Sequence, residues 1–253
     1  MSETELKLTS APIVEAVVDF ACDMPPTFKL AALEKAARDC FCGQYPIFRG
    51  KFIQETKIAA KPNTSPQMSI RNDIQAFQFL HNDKKQLVQV RTQGFSFNRL
   101  APYTSLDEYL PEIERAWKLF VGLTSPVQVR CIQLRYINRI LLPMETGQVQ
   151  WSDYIKLAPR LPDEEKLAFT GFLNHHTAIE TDTGNHVNVV LTTQPREKDK
   201  LPIIFDNRAA SSMATAPDDW ACLLEKIVSL RALKNRIFKK TLTEKCLSLF
   251  QQQ

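Results

Sequence analysis

The stretch that decides the fold is V-Q-V-R-C-I-Q-L-R-Y-I-N-R-I-L-L, residues 127–142, at the middle of the chain. It is rich in β-branched residues and has no Gly or Pro inside it, which is typical of a β-strand. Side chains along a strand alternate between the two faces of a sheet. One face of this strand is therefore apolar, and the other carries Arg135 and Arg139. The run predicts a central strand with one core face and two guanidinium groups that need partners.

A second strand, A-P-I-V-E-A-V-V-D-F at 11–20, carries the opposite charge. Alternation places Glu15 and Asp19 together on one face, shared with Ile13 and Val17, and leaves an apolar face on the other side. This strand holds the first place in the first half of the chain, as 127–142 does in the second half. We therefore expect the two strands to pair antiparallel near the middle of the molecule.

The other predicted elements repeat one order in both halves: strand, helix, three strands, helix. The remaining predicted strands lie at 47–60, 68–80, 86–99, 169–181, 186–193 and 202–205, and the predicted helices at 28–42, 105–120, 151–167 and beyond 217. This order predicts an α+β fold in which two β-α-β-β-β-α units, residues 1–123 and 124–253, share one curved, mainly antiparallel sheet with the helices on one face. Two separate domains, or one undivided domain, are the alternatives. The short connection G-L-T-S-P at 122–126 favours a shared sheet.

The amino-acid composition is typical of a globular protein and argues against a dedicated nucleic-acid-binding protein and against a membrane protein. The 253 residues are 44% hydrophobic, enough for a substantial core, and 32 basic against 28 acidic residues give a net charge of only +4. A dedicated nucleic-acid-binding protein is usually more basic. The sequence has no long apolar run, and its start, M-S-E-T-E-L-K, lacks the apolar segment of a signal peptide. We therefore expect a cytoplasmic protein with no membrane partner, and its six cysteines as reduced thiols.

The four charged residues of the two central strands form the first candidate site. If these strands pair, Glu15 and Asp19 face Arg135 and Arg139, in a geometry that suits bidentate hydrogen bonds. One interpretation is a structural ion-pair cluster. The other is a polar ligand site in which the two arginines bind an anion.

The second candidate site is a run of basic residues in the C-terminal helices, which holds few acids. The residues are Arg231, Lys234, Arg236, Lys239 and Lys240. They form either a solvated helix face or a contact surface for a partner protein or a nucleic acid.

No motif predicts a catalytic residue, a cofactor or a metal. Glycine is scarce, at 7 residues, and no Gly-rich phosphate loop or serine nucleophile elbow occurs. His175 and His176 alternate to opposite faces of their strand, which argues against a metal site with His186. Asp206 follows I-I-F at a predicted strand end, where it could serve a cryptic enzyme together with Arg135 or Arg139.

Four stretches carry a resemblance to a known family: A-P-I-V-E-A-V at 11–17, G-F-S-F-N-R-L-A-P-Y at 94–103, L-R-Y-I-N-R-I at 134–140 and L-K-N-R-I-F-K-K-T-L-T-E-K at 233–245. With them the chain resembles, over most of its length, a sporadically distributed family of uncharacterised bacterial proteins. The resemblance implies no activity and no catalytic residues. Its patchy distribution is associated with defence loci, which implies a setting and not a mechanism.

The sequence thus favours a non-catalytic recognition protein that binds a partner protein or a small anionic ligand, in bacterial defence or toxin neutralisation. Nucleic-acid binding through a basic concave face and a cryptic enzyme are the alternatives. A ligand held between the sheet and the helices would favour the small-anion version. The oligomeric state stays open.

Overall fold

The computed structural model describes residues 8–59, 67–144, 147–157 and 170–251, with the backbone alone at 55–59 and 67–71. Most of the predicted helical segment at 151–167 therefore lies outside the described residues. No helix in the described part of the chain is both long and apolar enough to span a membrane.

The described residues form nine strands: β1 Ile13–Asp23, β2 Ile47–Ala59, β3 Gln67–Leu80, β4 Gln86–Arg91, β5 Gly94–Leu100, β6 Gln128–Pro143, β7 Leu173–Ile179, β8 His186–Thr193 and β9 Lys200–Thr215. The helices are α1 Glu34–Phe41, preceded by a 3-10 turn at Leu30–Leu33, α2 Leu106–Thr124, α3 Trp151–Tyr154, α4 Trp220–Thr241 and α5 Glu244–Ser248. α2 starts where its N-cap predicts, because the Ser105 hydroxyl accepts a hydrogen bond from the Glu108 amide, 3.3 Å away.

All nine strands belong to one antiparallel sheet in the order β2-β3-β4-β5-β1-β6-β9-β8-β7. The predicted pairing of the two central strands is confirmed, since β1 and β6 are antiparallel neighbours with Phe20 opposite Ile132. The α+β class and the shared, mainly antiparallel sheet are confirmed with it.

The apolar faces of the strands and the helices enclose one core. Trp117 of α2 stacks on Phe20 of β1 with the ring centroids 4.5 Å apart, and Phe41 of α1 stacks on Phe79 of β3 at 5.1 Å. In the second half of the chain, Phe238 of α4 lies over Phe205 of β9 at 5.4 Å. All three helices therefore pack on the same face of the sheet, and the opposite face carries the polar side chains.

Two strands differ from the prediction. The run 86–99 is a hairpin of β4 and β5 because the chain turns at Thr92 and Gln93, and Gly94 then adopts a φ of +140°. A Cβ atom at Gly94 would lie 1.9 Å from the carbonyl oxygen of Phe20, so only glycine lets β5 approach β1 there. The predicted strand 202–205 extends over 16 residues as β9, through a segment rich in Ala and Ser that has little strand propensity.

Candidate functional site

A cavity of about 490 Å³ lies between the sheet and the helices α2 and α4. Its wall is built by the segment entering β1, the loop before α2, the first turn of α2, the middle of β6 and one face of α4. The lining side chains include Leu8, Pro12, Ile13, Tyr103, Leu106, Asp107, Tyr136, Asn138, Arg231, Lys234 and Phe238.

A β-bulge at the start of β1 shapes one wall of this cavity. Ile13 pairs with Asn138, whereas Glu15, two residues further on, pairs with Ile137, so one extra residue is accommodated on β1. The bulge turns Ile13 to the helix-covered face and leaves Glu15 on the open face. The expectation that Ile13 and Glu15 share a face is therefore wrong, because strict alternation fails at a bulge.

Lys234 is the central polar residue of the cavity. The lysine is 8% exposed, and its Nζ lies 3.6 Å from the centroid of the Tyr136 ring. No carboxylate of the described residues forms an ion pair with it. Burial, and then the nearby Arg231, lower the pKa of Lys234 from 10.5 to about 7. The cavity therefore holds an amine that is poised between its charged and neutral forms and lacks a counter-ion within the described chain.

The periodicity of α4 explains this burial. Leu223, Ile227, Leu230, Lys234 and Phe238 follow one another at spacings of three or four residues, so they share the helix face that packs on the sheet. The Asn207 amide on β9 donates a hydrogen bond of 2.9 Å to the Lys234 carbonyl oxygen and fixes this turn against the sheet. The spacing of Lys234 from its apolar neighbours on α4 predicts a buried position. Its charge predicts an exposed position, and the predicted basic run rests on that charge.

Two tyrosines lie beside the amine. The hydroxyl groups of Tyr103 and Tyr136 are 2.9 Å apart, and their rings meet edge to face with centroids 5.5 Å apart. Burial raises the pKa of Tyr136 to about 12, and burial together with the neighbouring Tyr136 raises that of Tyr103 well above 10. Both phenols therefore keep their protons near neutral pH, and one of the two can donate a hydrogen bond to a ligand.

A second cation lines the cavity. The Arg231 guanidinium, one turn before Lys234, donates a hydrogen bond of 2.7 Å to the carboxylate of Asp107 in the first turn of α2. Asp107 is exposed, so this pair lies at the solvent side of the cavity. The Arg231 guanidinium and the partly protonated amine of Lys234 against one carboxylate make the cavity electropositive, and the positive end of the α2 dipole adds to the field.

The predicted cluster of Glu15, Asp19 and Arg135 lies on the opposite, open face of the sheet. All three line a depression of about 300 Å³, and Arg135 is opposite Val17, so the predicted shared face is correct. The predicted partners are wrong. Arg135 donates to Asp206 on β9, with Nη2 and Oδ2 2.6 Å apart, and Asp19 pairs with Arg91 on β4 at 2.8 Å.

Glu15 belongs to a row of polar side chains on this face. It accepts a hydrogen bond of 2.8 Å from Asn98, which in turn lies 3.2 Å from the amide nitrogen of Gln89. Gln89 also accepts a bond of 2.9 Å from Gln78. The row crosses β1, β5, β4 and β3, and its side chains satisfy one another's polar groups.

The depression on the open face spans several strands. It is lined by Lys51 on β2 and by Arg135 on β6, which stand five strand positions apart in the sheet, and by residues of the strands between them. Lys51, Arg91 and Arg135 lie there with Glu15 and Asp19, so the open face is mixed in charge and not strongly basic.

The other predicted site residues are dispersed. Arg139 lies at the far end of β6, where it forms an ion pair with Glu197. Arg236 pairs with Glu180, whereas Lys239 and Lys240 are exposed in the last turn of α4. The predicted basic run is therefore not one surface, since only Arg231 and Lys234 reach the cavity.

Asp206 and His175 lie within strands and contact side chains of neighbouring strands. Asp206 lies inside β9, not at a strand end, because β9 continues to Thr215. His175 contacts the Asn188 amide at 2.9 Å, across β7 and β8. No three metal-binding side chains cluster within the described residues.

Tyr103, Tyr136 and Asp107 are cavity residues that the sequence reasoning did not select. A signal for the tyrosines was present, because the four stretches that carry the family resemblance all contribute to the wall of this cavity. They supply residues 11–13, Tyr103, Tyr136 with Asn138, and the turn that contains Lys234.

Comparison with known proteins adds nothing to this geometry: no family model, no curated protein and no solved structure matches the chain.

Proposed function

We propose that this protein is a non-catalytic recognition protein that binds a small organic anion in the cavity between the sheet and the helices α2 and α4. The observation that carries the proposal is the buried amine of Lys234, which has no carboxylate partner in the described part of the chain. A buried ammonium without a counter-ion is destabilising by several kcal/mol. An anionic ligand would supply the missing counter-ion, so relief of this destabilisation would contribute to the free energy of binding.

The walls support a ligand with an apolar part. Leu8, Pro12, Ile13, Leu106 and Phe238 line the cavity together with the cations and the tyrosine hydroxyls. The volume of about 490 Å³ lies within the range of small-molecule sites. A carboxylate on an apolar body fits this division, with the carboxylate at Lys234 and the body against the aliphatic wall.

The open face gives weaker support for anion binding. Its arginines already have carboxylate partners, Asp206 for Arg135 and Asp19 for Arg91. An anion there would have to displace a protein carboxylate, whereas at Lys234 it would displace none among the described residues. The same mixed charge gives no particular support to nucleic-acid binding on the open face.

The binding experiment uses benzoate, with benzamide as a neutral control of nearly the same shape. Benzoate should raise the melting temperature and release heat in calorimetry, and benzamide should do neither. Lys234→Met should abolish the response, whereas Lys239→Met, at an exposed position of the same helix, should keep it. An equal response to benzamide, or an unchanged response in Lys234→Met, would contradict the proposal.

The biological setting is part of the proposal. We place the protein in the cytoplasm, as a member of the bacterial family that it resembles, acting in defence or toxin neutralisation. A partner protein and a nucleic acid remain the alternative ligands. Binding of a fluorescent single-stranded oligonucleotide, measured at increasing salt, tests the nucleic-acid alternative. Phosphate contacts would make the affinity fall steeply with salt. Affinity purification from the native host tests for a partner protein.

A further inference from the structure

We infer that the amine of Lys234 forms an imine with small carbonyl compounds that carry a carboxylate, the class that includes 2-oxo acids and aldehyde acids. This inference rests on the proposed anion site and names a substrate class for it. The cavity gives the amine access to a bound molecule. In this class of ligand the carbonyl group lies at Lys234, and the carboxylate lies at the solvent side near Arg231, where it competes with the exposed Asp107 for the guanidinium.

The surroundings of Lys234 favour an amine that reacts. Within the described residues, no carboxylate pairs with it and keeps it protonated, and its side chain is enclosed by β6 and α4. The charged and titratable groups that line its cavity are Arg231 on the same helix, Asp107 on α2, Tyr103 before α2 and Tyr136 on β6. With a pKa of about 7, near half of the amine is neutral at neutral pH, whereas an exposed lysine is almost fully protonated.

The step balances with no reagent beyond the carbonyl compound. The lone pair of Lys234 Nζ forms a bond to the carbonyl carbon, and the π electrons of the carbonyl move to its oxygen, which takes a proton. Loss of that oxygen as water then leaves the carbon–nitrogen double bond, and both hydrogens of the amine depart with the water. The phenol pair of Tyr103 and Tyr136 lines the same cavity and offers a protonated donor for the departing oxygen.

The carboxylate distinguishes this reaction from unspecific labelling of lysines. Lys239 and Lys240 are exposed in the last turn of the same helix, and neither reaches the cavity. Modification that depends on the anion should therefore be confined to Lys234. A neutral aldehyde should keep only the part of that preference that comes from the larger neutral fraction of Lys234, because the cationic cavity no longer concentrates it.

The test treats the full chain with glyoxylate and sodium cyanoborohydride at neutral pH, followed by peptide mass spectrometry. We expect a carboxymethyl group on Lys234 at least tenfold faster than on Lys239. Acetaldehyde, a similar-sized aldehyde without a carboxylate, should show a much smaller preference, and benzoate should protect Lys234. The comparison of Lys234 with Lys239 is made within one wild-type chain, so it does not depend on the folding of any variant.

Measuring benzoate binding and glyoxylate labelling on the same wild-type chain separates this inference from the proposed function. Benzoate binding needs only the cationic cavity, whereas fast labelling also needs the Lys234 amine to attack the carbonyl carbon. Equal labelling of Lys234 and Lys239 while benzoate still binds would overturn the imine and leave the anion site standing. Equal preference with glyoxylate and acetaldehyde would overturn the inference as well, since the carboxylate would then contribute nothing. Loss of benzoate binding in wild type would overturn the proposed function itself.

Discussion

The Nζ atom of Lys234 lies over the ring of Tyr136, 3.6 Å from its centroid, and beneath α4. The negative face of an aromatic ring stabilises an ammonium group by about 0.5–2 kcal/mol. Removing that group from water costs several kcal/mol. The ring therefore compensates only part of the cost of desolvating the ammonium group, and an anionic ligand would stabilise this group further.

The first prediction concerns stability and pH. The unfolded chain keeps Lys234 protonated up to its ordinary pKa of 10.5, whereas in the folded chain the pKa is about 7. Between these values the unfolded state binds more protons, so this residue makes the free energy of unfolding rise with pH, by at most about 1.4 kcal/mol per pH unit. Below pH 7 both states hold the proton and the contribution is flat.

Lys234→Met should remove this slope. Urea unfolding of wild type and variant across the window should show their difference shrinking as pH rises, with Lys239→Met as the matched control. Taking the difference cancels other groups that titrate there, such as the thiol of Cys246, whose pKa burial raises to about 12. A difference between wild type and Lys234→Met that stays constant with pH would show that the amine is not perturbed.

The second prediction concerns the tyrosine pair. Tyr103→Phe and Tyr136→Phe each leave the other hydroxyl without its partner at 2.9 Å. Each single change should cost about 1 kcal/mol in denaturant unfolding, and the double change should cost less than the sum. Strict additivity would mean that the two hydroxyl groups do not interact.

The third prediction concerns the open face. Arg135→Leu leaves the mostly buried carboxylate of Asp206 without its partner, and Asp206→Leu does the reverse. Because Arg135 is itself 35% exposed, we expect a coupling free energy of only about 0.5–1 kcal/mol in the double-mutant cycle. Arg135 with Glu15 should show a smaller coupling, since Glu15 is hydrogen-bonded to Asn98.

The fourth prediction concerns the core. Trp117 is 1% exposed, stacks on Phe20 and donates its indole hydrogen to the Pro217 carbonyl oxygen, 2.8 Å away. Trp117→Ala should therefore lower the free energy of unfolding by about 3–5 kcal/mol. Trp220 at the start of α4 is only half-buried, so Trp220→Ala should cost clearly less in the same measurement. Equal losses would contradict this difference in packing.

The central pair of strands was predictable because strand alternation is a local property with a strong apolar signal. The ion-pair partners were not, because alternation fixes the face of a side chain and not its neighbour. Glu15 on β1 and Asp206 on β9 both lie opposite Ile137, so both are diagonal neighbours of Arg135. The strand predicted from the sequence ends at residue 205. Asp206 therefore lies outside it and is not among the predicted ion-pair partners of Arg135.

The cavity was harder to predict because its wall comes from four separate parts of the chain. In the sequence the charge of Lys234 indicates a solvated helix face, although its spacing from Leu230 and Phe238 places it on the apolar face of α4. Tyr103 and Tyr136 are 33 residues apart and meet only because β1 brings the loop before α2 next to β6. Contacts of this kind depend on strand order, which local patterns do not encode.

The place of β1 has a consequence for the order in which the chain can fold. Its two neighbours are β5 and β6, and Phe20 pairs with Phe95 on one side and with Ile132 on the other. During synthesis from the N-terminus, β1 can pair with β5 well before β6 has left the ribosome. The nascent first half then exposes a bare strand edge at the future centre of the sheet, a template for association with other chains. Prompt arrival of β6 ends that interval, so slow translation between β5 and β6 would lengthen the period of greatest risk of aggregation.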